Sequence, residues 1–200
     1  MKLRIPIFLK QAMNAVTGHA QDKEPQAPTM VSVDRNDLTI SVIDEFSTKK
    51  RTGDALASMW DHIADLAEEG LSQYDGITDR QESYLDTLRN IAAQIRKTSS
   101  FSDTVELPQS HIDTITQNKD IIYRAKEGTK DIMQHLPSGV RGETFIAEDE
   151  FGEDGVFYEP SEFENAITNR HNALATFAFK LDGTLGKYAS TDADGPQPDL

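Results

Sequence analysis

Between residues 54 and 181, apolar side chains recur every three to four positions along four separate stretches. That period limits this part of the chain to amphipathic helices that must bury one face against each other. The first stretch, from Asp54 to Leu71, carries Leu56, Met59, Trp60, Ile63, Leu66 and Ala67 on one face, and Gly70 with the Tyr74-Asp75-Gly76 turn ends it. The second, from Asp79 to Lys97, carries Tyr84, Leu85, Leu88, Ile91, Ala92 and Ile95. Thr78 and Gln81 have capping-box spacing at its start, and Arg96 and Lys97 suit the negative end of its dipole. The third, from Gln109 to Leu136, is stopped by Pro137, and Gly128 marks where it should bend or fray. The fourth, from Ser161 to Leu181, has a second capping box in Ser161 and Glu164 and closes at Asp182-Gly183.

The remaining segments hold the β signals. In Met30 to Phe46, Val31 and Val33, then Leu38, Ile40 and Val42, alternate with polar residues around the turn-rich Asp34-Arg35-Asn36-Asp37. This predicts a β-hairpin, with a helix from Leu38 to Phe46 as the alternative. Thr98 to Glu106 reads as a polar loop. Phe145-Ile146 and Val156-Phe157-Tyr158 predict two short strands joined by an acidic loop. The expected fold is therefore mainly α: four amphipathic helices in a bundle with one or two small β-hairpins, an α+β arrangement being the alternative.

Charge divides the chain. Residues 1–21 hold Lys2, Arg4 and Lys10 and no acid, whereas the other 179 residues hold 17 bases and 34 acids. Residues 1–29 read as a basic N-terminal arm and linker, the Pro-containing stretch 21–29 being the linker. Residues 30–188 read as the helical domain, with an acidic hairpin loop at 138–160, and 189–200 as a disordered acidic tail. The net charge of −14 argues against a nucleic-acid partner, because phosphate neutralisation needs a basic face. The absence of cysteine removes disulfides, thiolate metal sites and thiol nucleophiles. The apolar run Leu3–Leu9 is too short to span a membrane and makes a poor secretory signal. The expectation is a soluble protein, cytoplasmic or exported without a cleaved signal peptide.

No motif supplies a catalytic constellation. Glu143 to Glu164 contains nine acids and no base, but an EF-hand register with Gly155 sixth puts Gly152 third and Ser161 twelfth, and one with Glu162 twelfth puts Val156 sixth. Gly183-Thr184-Leu185-Gly186-Lys187 has the wrong spacing for a phosphate loop and follows a helix instead of a strand. His19, His62, His111, His135 and His171 stand in no metal-binding motif, and Ser138 in Pro-Ser-Gly is a turn serine. Arg170 falls near the inward face of the fourth helix, as a flank arginine whose head reaches water or as the anchor of a buried ion pair with an acid of another helix. Trp60 reads as core. No catalytic residue, metal or cofactor is expected.

These exclusions point to a non-enzymatic protein that works through protein–protein contacts, as an assembly or structural component, an adaptor or a translocated effector. The alternatives are an enzyme whose carboxylates and histidines meet only in three dimensions, or a membrane-surface protein held by the basic arm. The expected contact residues are Glu148, Asp149, Glu150, Phe151 and Tyr158, an aromatic anchor within an acidic rim. They suit a protein partner with a basic, apolar-centred surface, or self-association through another copy's residues 1–21. Lys119, Lys126 and Lys130 on the third helix form the second candidate surface.

Overall fold

The structure, a computed structural model, describes residues 27–40, 55–74, 76–148 and 154–190. The basic segment 1–26, the second half of the expected first hairpin (41–46), residues 149–153 and the tail 191–200 lie outside the described residues. The elements in chain order are β1 (Met30–Asp34), α1 (Arg35–Leu38), α2 (Ala55–Leu71), α3 (Asp79–Lys97), β2 (Thr104–Pro108), α4 (Gln109–Gln117), α5 (Asp120–Gln134), β3 (Glu143–Glu148), β4 (Asp154–Glu159) and α6 (Glu162–Asp182). The fold is mainly α with two small antiparallel two-stranded sheets, as the helical periodicity implies.

The four long helices α2, α3, α5 and α6 build the core, and α2 is its hub, packing against the other three. Trp60 on α2 is fully buried and meets Phe177 on α6 edge to face, with ring centroids 5.3 Å apart. Its indole N–H donates to the Leu38 carbonyl at 3.0 Å, so the one polar atom of the side chain is satisfied inside the core. The expected helix starts at Thr78 and Ser161 form as capping boxes. Pairs between helices flank the apolar contacts: Arg89 with Asp65 and Glu68, Arg96 with Asp61, and Arg170 with Glu69. Arg170 therefore joins α6 to α2 as a half-exposed pair and not as a buried one.

Two expectations are corrected. Met30–Asp34 is a strand, but its partner is Thr104–Pro108 and not the segment that follows it. The Asp34 carboxylate accepts from the Asn36 N–H at 2.8 Å, and this cap starts a single helical turn where the hairpin turn was expected. β2 occupies the end of the presumed polar loop, with Val105 and Leu107 buried beside Val33. The third helix is two helices, so the helix count rises above four. The break falls at Asn118, whose φ of −108° and ψ of 29° leave the helical region, and not at Gly128. Gly128 lies within α5 and is buried.

The chain after α6 closes the far end of the bundle. Gly183 and Leu185 form a helix C-terminal turn through N–H groups that donate to Phe179 and Lys180 carbonyls at 3.1 and 3.0 Å. The Tyr188 hydroxyl donates to Asp37 at 2.6 Å and accepts from the Asp34 N–H at 3.1 Å. Lys187 and Tyr188 together hold the Asp37 carboxyl below its ordinary range. Ser190 donates to Asp113 from both its N–H and its hydroxyl, each at 2.8 Å.

Candidate functional site

β3 and β4 form a hairpin at the opposite end of α6. The register pairs Glu143 with Glu159, Phe145 with Phe157, Ala147 with Gly155, Ile146 with Val156, and Glu148 with Asp154. Partners in register share a face, so Phe145 and Phe157 lie on one side and Ile146 and Val156 on the other. The two phenyl rings stack at 5.9 Å. Every hairpin residue is exposed except Ala147 and Gly155, which are half-buried. Ile146 is 72% exposed and Val156 75%, and no hairpin residue belongs to the hydrophobic core.

The sequence alone suggests that strand alternation turns some of these aromatics toward the bundle. The structure corrects this: Phe145, Phe157 and Tyr158 all remain substantially exposed. Two-stranded hairpins are at best marginally stable in water unless another layer covers a face. This one carries large apolar side chains on both faces and has neither face in the core.

The base of the hairpin is fixed by hydrogen bonds to the start of α6 and the end of α5. The Glu164 carboxylate, on the first turn of α6, accepts from the Tyr158 hydroxyl at 2.6 Å, the Gly142 N–H at 2.8 Å and the Ser161 N–H at 3.1 Å. The Ser161 hydroxyl donates to the Val140 carbonyl at 2.7 Å. Arg141 donates to the Leu136 and Gln134 carbonyls, each at 3.0 Å, and so ties the entering strand to the end of α5. A Cβ on Gly142 would stand 1.9 Å from the Glu159 carbonyl oxygen, so only glycine lets the two ends of the hairpin come this close. The hydrogen bond from Tyr158, with the further ones from Gly142 and Ser161, holds Glu164 below the ordinary glutamate range against the opposing effect of desolvation. Donation to this carboxylate raises the Tyr158 phenol, against the opposing hydrogen bond that its oxygen accepts from the Gly142 N–H at 3.0 Å.

Of the residues expected to make contact, Glu148 ends β3 opposite Asp154, and Tyr158 stands on β4 with its hydroxyl committed to Glu164. Asp149, Glu150 and Phe151 lie outside the described residues. The structure adds Ile146 and Val156, whose signal was already present: consecutive apolar residues in a strand load both of its faces. The second candidate surface is electrostatically occupied. Lys119 pairs with Asp182, Lys126 lies 3.5 Å from Glu127 and Lys130 3.9 Å from the same carboxylate.

The histidines serve packing where their contacts are described. His171 Nδ1 lies 3.3 Å from the Thr129 hydroxyl and 3.2 Å from the Lys126 carbonyl, and His135 Nδ1 lies 2.7 Å from the Asp131 carbonyl. Burial pushes the His111 imidazole down. Among the described residues, no three His, Asp or Glu side chains gather closely enough to hold a metal ion, and no helix is long and apolar enough to cross a membrane. Comparison with protein-family models, with curated proteins and with solved structures returned no significant match.

Proposed function

We propose that the protein is a non-enzymatic binding protein, an assembly component or adaptor, and that the β3–β4 hairpin is its contact element. The observation that carries this reading is the exposure of Ile146 and Val156 on one face of the hairpin and Phe145 and Phe157 on the other. Apolar surface presented on both sides of an isolated two-stranded sheet costs stability in water and gains it when a partner covers it. The fixed base supports the reading as well. The Tyr158–Glu164–Gly142 junction ties the hairpin to the first turn of α6 and reduces the orientational freedom lost on docking. Acidic pairs at both ends of the ladder, Glu143 with Glu159 and Glu148 with Asp154, give the rim a single sign and favour a basic partner surface.

Site-specific photo-cross-linking in cells tests this. A photoreactive residue at position 146 or 156 should give a discrete protein adduct, while one at the exposed Asp86 on α3 should give none. An absence of adducts from both hairpin positions would remove the hairpin as the contact element.

A further inference from the structure

We infer that the hairpin receives residues 2–10 of a second copy of this chain, which add to it as a third strand and join copies head to tail. The inference rests on the hairpin being the contact element and names its occupant.

The first support is hydrogen bonding. β3 and β4 pair only with each other among the described residues, so each has an outer edge of unpaired backbone groups. Residues 2–10 read Lys-Leu-Arg-Ile-Pro-Ile-Phe-Leu-Lys, a period-two pattern with Leu3, Ile5, Ile7 and Leu9 in one set. In a strand, the N–H and C=O of one residue face the same neighbour, and those of the next residue face away. If the odd residues bond the hairpin, Pro6 faces outward, where its missing N–H costs nothing. The same proline then blunts the new edge against a fourth strand. The segment thus has one usable bonding edge, and it belongs to the apolar set.

The second support is the match of faces. The odd residues extend the uncovered Ile146–Val156 face, and the even set places Phe8 on the side of the stacked Phe145 and Phe157 rings. Lys2, Arg4 and Lys10 bring three positive charges and no acid. The hairpin supplies Glu143, Glu148, Asp154 and Glu159, none of which pairs with a base among the described residues. Like charges directly opposite across a ladder repel, and a basic strand alongside them relieves that repulsion.

The third support is polarity. The segment enters the fold at Thr29, whose carbonyl accepts from the Gln109 N–H at 2.8 Å, and the Gln109 side chain donates to the Tyr188 carbonyl at 2.7 Å. That is the end of the bundle where α6 finishes. The hairpin leaves from the start of α6, and the 21 residues of that helix separate the two ends by about 30 Å. Binding within one copy would require the segment to run back along the whole bundle. Between copies, the donating end of one faces the receiving end of the next, a head-to-tail arrangement that closes into a ring or extends as a fibre.

Two disabled chains test this directly by light scattering across a wide concentration range. One lacks residues 1–21, and the other carries Ile146→Lys and Val156→Lys. The intact chain should gain mass with concentration, and less so at high salt. Each disabled chain alone should stay monomeric, and their equimolar mixture should form one heterodimer, because one donor and one receiver remain. A second set guards against misfolding: Lys2→Glu with Arg4→Glu, and Glu143→Lys with Glu159→Lys, should each weaken association, and combining them should restore it. An intact chain that stays monomeric throughout overturns the inference. If the intact chain is monomeric while the mixture pairs, the segment folds onto its own copy and the second-copy assignment is wrong. Heterologous cross-links from positions 146 and 156 without self-association would sink this inference and leave the contact element standing. Loss of both would sink the two together.

Discussion

Gly70 on α2 and Gly128 on α5 meet backbone to backbone. A Cβ on Gly128 would lie 1.9 Å from the Gly70 carbonyl oxygen, and one on Gly70 would lie 2.1 Å from the Ala125 carbonyl oxygen. Two opposing effects act on Gly128→Ala. Helix propensity favours alanine by about 1 kcal/mol. The clash is with backbone, which cannot swing aside, and overpacking costs about 1–3 kcal/mol or more. The clash should win, and Gly128→Ala should lower the denaturation midpoint. A midpoint that rises would mean that the helices separate without penalty and that the close approach is not needed.

Trp60 offers a second test of the core. Trp60→Ala should cost about 3–5 kcal/mol, since it removes the largest fully buried side chain and its edge-to-face contact with Phe177. Trp60→Phe isolates the polar part of the effect. It keeps an aromatic ring but leaves the Leu38 carbonyl without its donor, at a cost of about 1–3 kcal/mol. Equilibrium urea unfolding followed by circular dichroism measures both. Equal losses for the two variants would show that the hydrogen bond, and not the packing, carries the effect.

The helices were readable because their signals are local. α3 runs over Asp79–Lys97, the span set by Thr78 and Gln81 at one end and Arg96 and Lys97 at the other. β2 was not readable, because five residues, two of them apolar and buried, find their partner about seventy positions earlier in the chain. The role of Gly128 was misread for a related reason. A glycine within a helical pattern looks like a weak point until the facing helix is known, and here Gly70 occupies the space a side chain would need. The β3–β4 strands were legible from two short apolar runs, Phe145-Ile146 and Val156-Phe157-Tyr158, on either side of an acidic loop. Their exposure was not, because an uncovered face is a property of where the rest of the chain fails to pack.

The hairpin base should respond to acid. Glu164 has its folded-state value depressed by the Tyr158 hydroxyl and the amides of Gly142 and Ser161. A depressed carboxylate contributes stability above its unfolded value and loses it as pH falls through the folded one. The Gly142 amide resonance should therefore titrate with a midpoint below the ordinary glutamate range. Tyr158→Phe should move the midpoint upward and Glu164→Gln should abolish the transition. A midpoint at or above the ordinary value in the unmodified chain would show that the junction does not form in solution.

At the other end, the ordered chain continues past Tyr188. Ser190 bonds Asp113 twice, so a chain cut after Ser190 should melt with Ser190→Ala below it by the equivalent of about 0.5–1.5 kcal/mol. Cutting after Leu185 should cost more, because it also removes the Tyr188 hydroxyl from Asp37 and Asp34. Calorimetry on the three chains orders them, and three equal melting temperatures would show that this closure adds nothing.

Excising the hairpin separates a structural role from a contact role. Gly142 lies against Glu159 and Pro160, close enough that a Cβ on Gly142 would stand 2.7 Å from the Pro160 Cα. A short Gly-Ser link replacing residues 143–159 can therefore rejoin the chain without stretching it. The excised residues contribute nothing to the hydrophobic core, and the Ser161 hydroxyl keeps its bond to the Val140 carbonyl. The melting temperature should change little, within the scatter expected for substitutions away from the core, about 0.5 kcal/mol. Self-association should disappear over the same concentration range in which the intact chain gains mass. A large fall in melting temperature would make the hairpin part of the domain's own support. Unchanged stability together with unchanged association would place the contact surface on another part of the molecule.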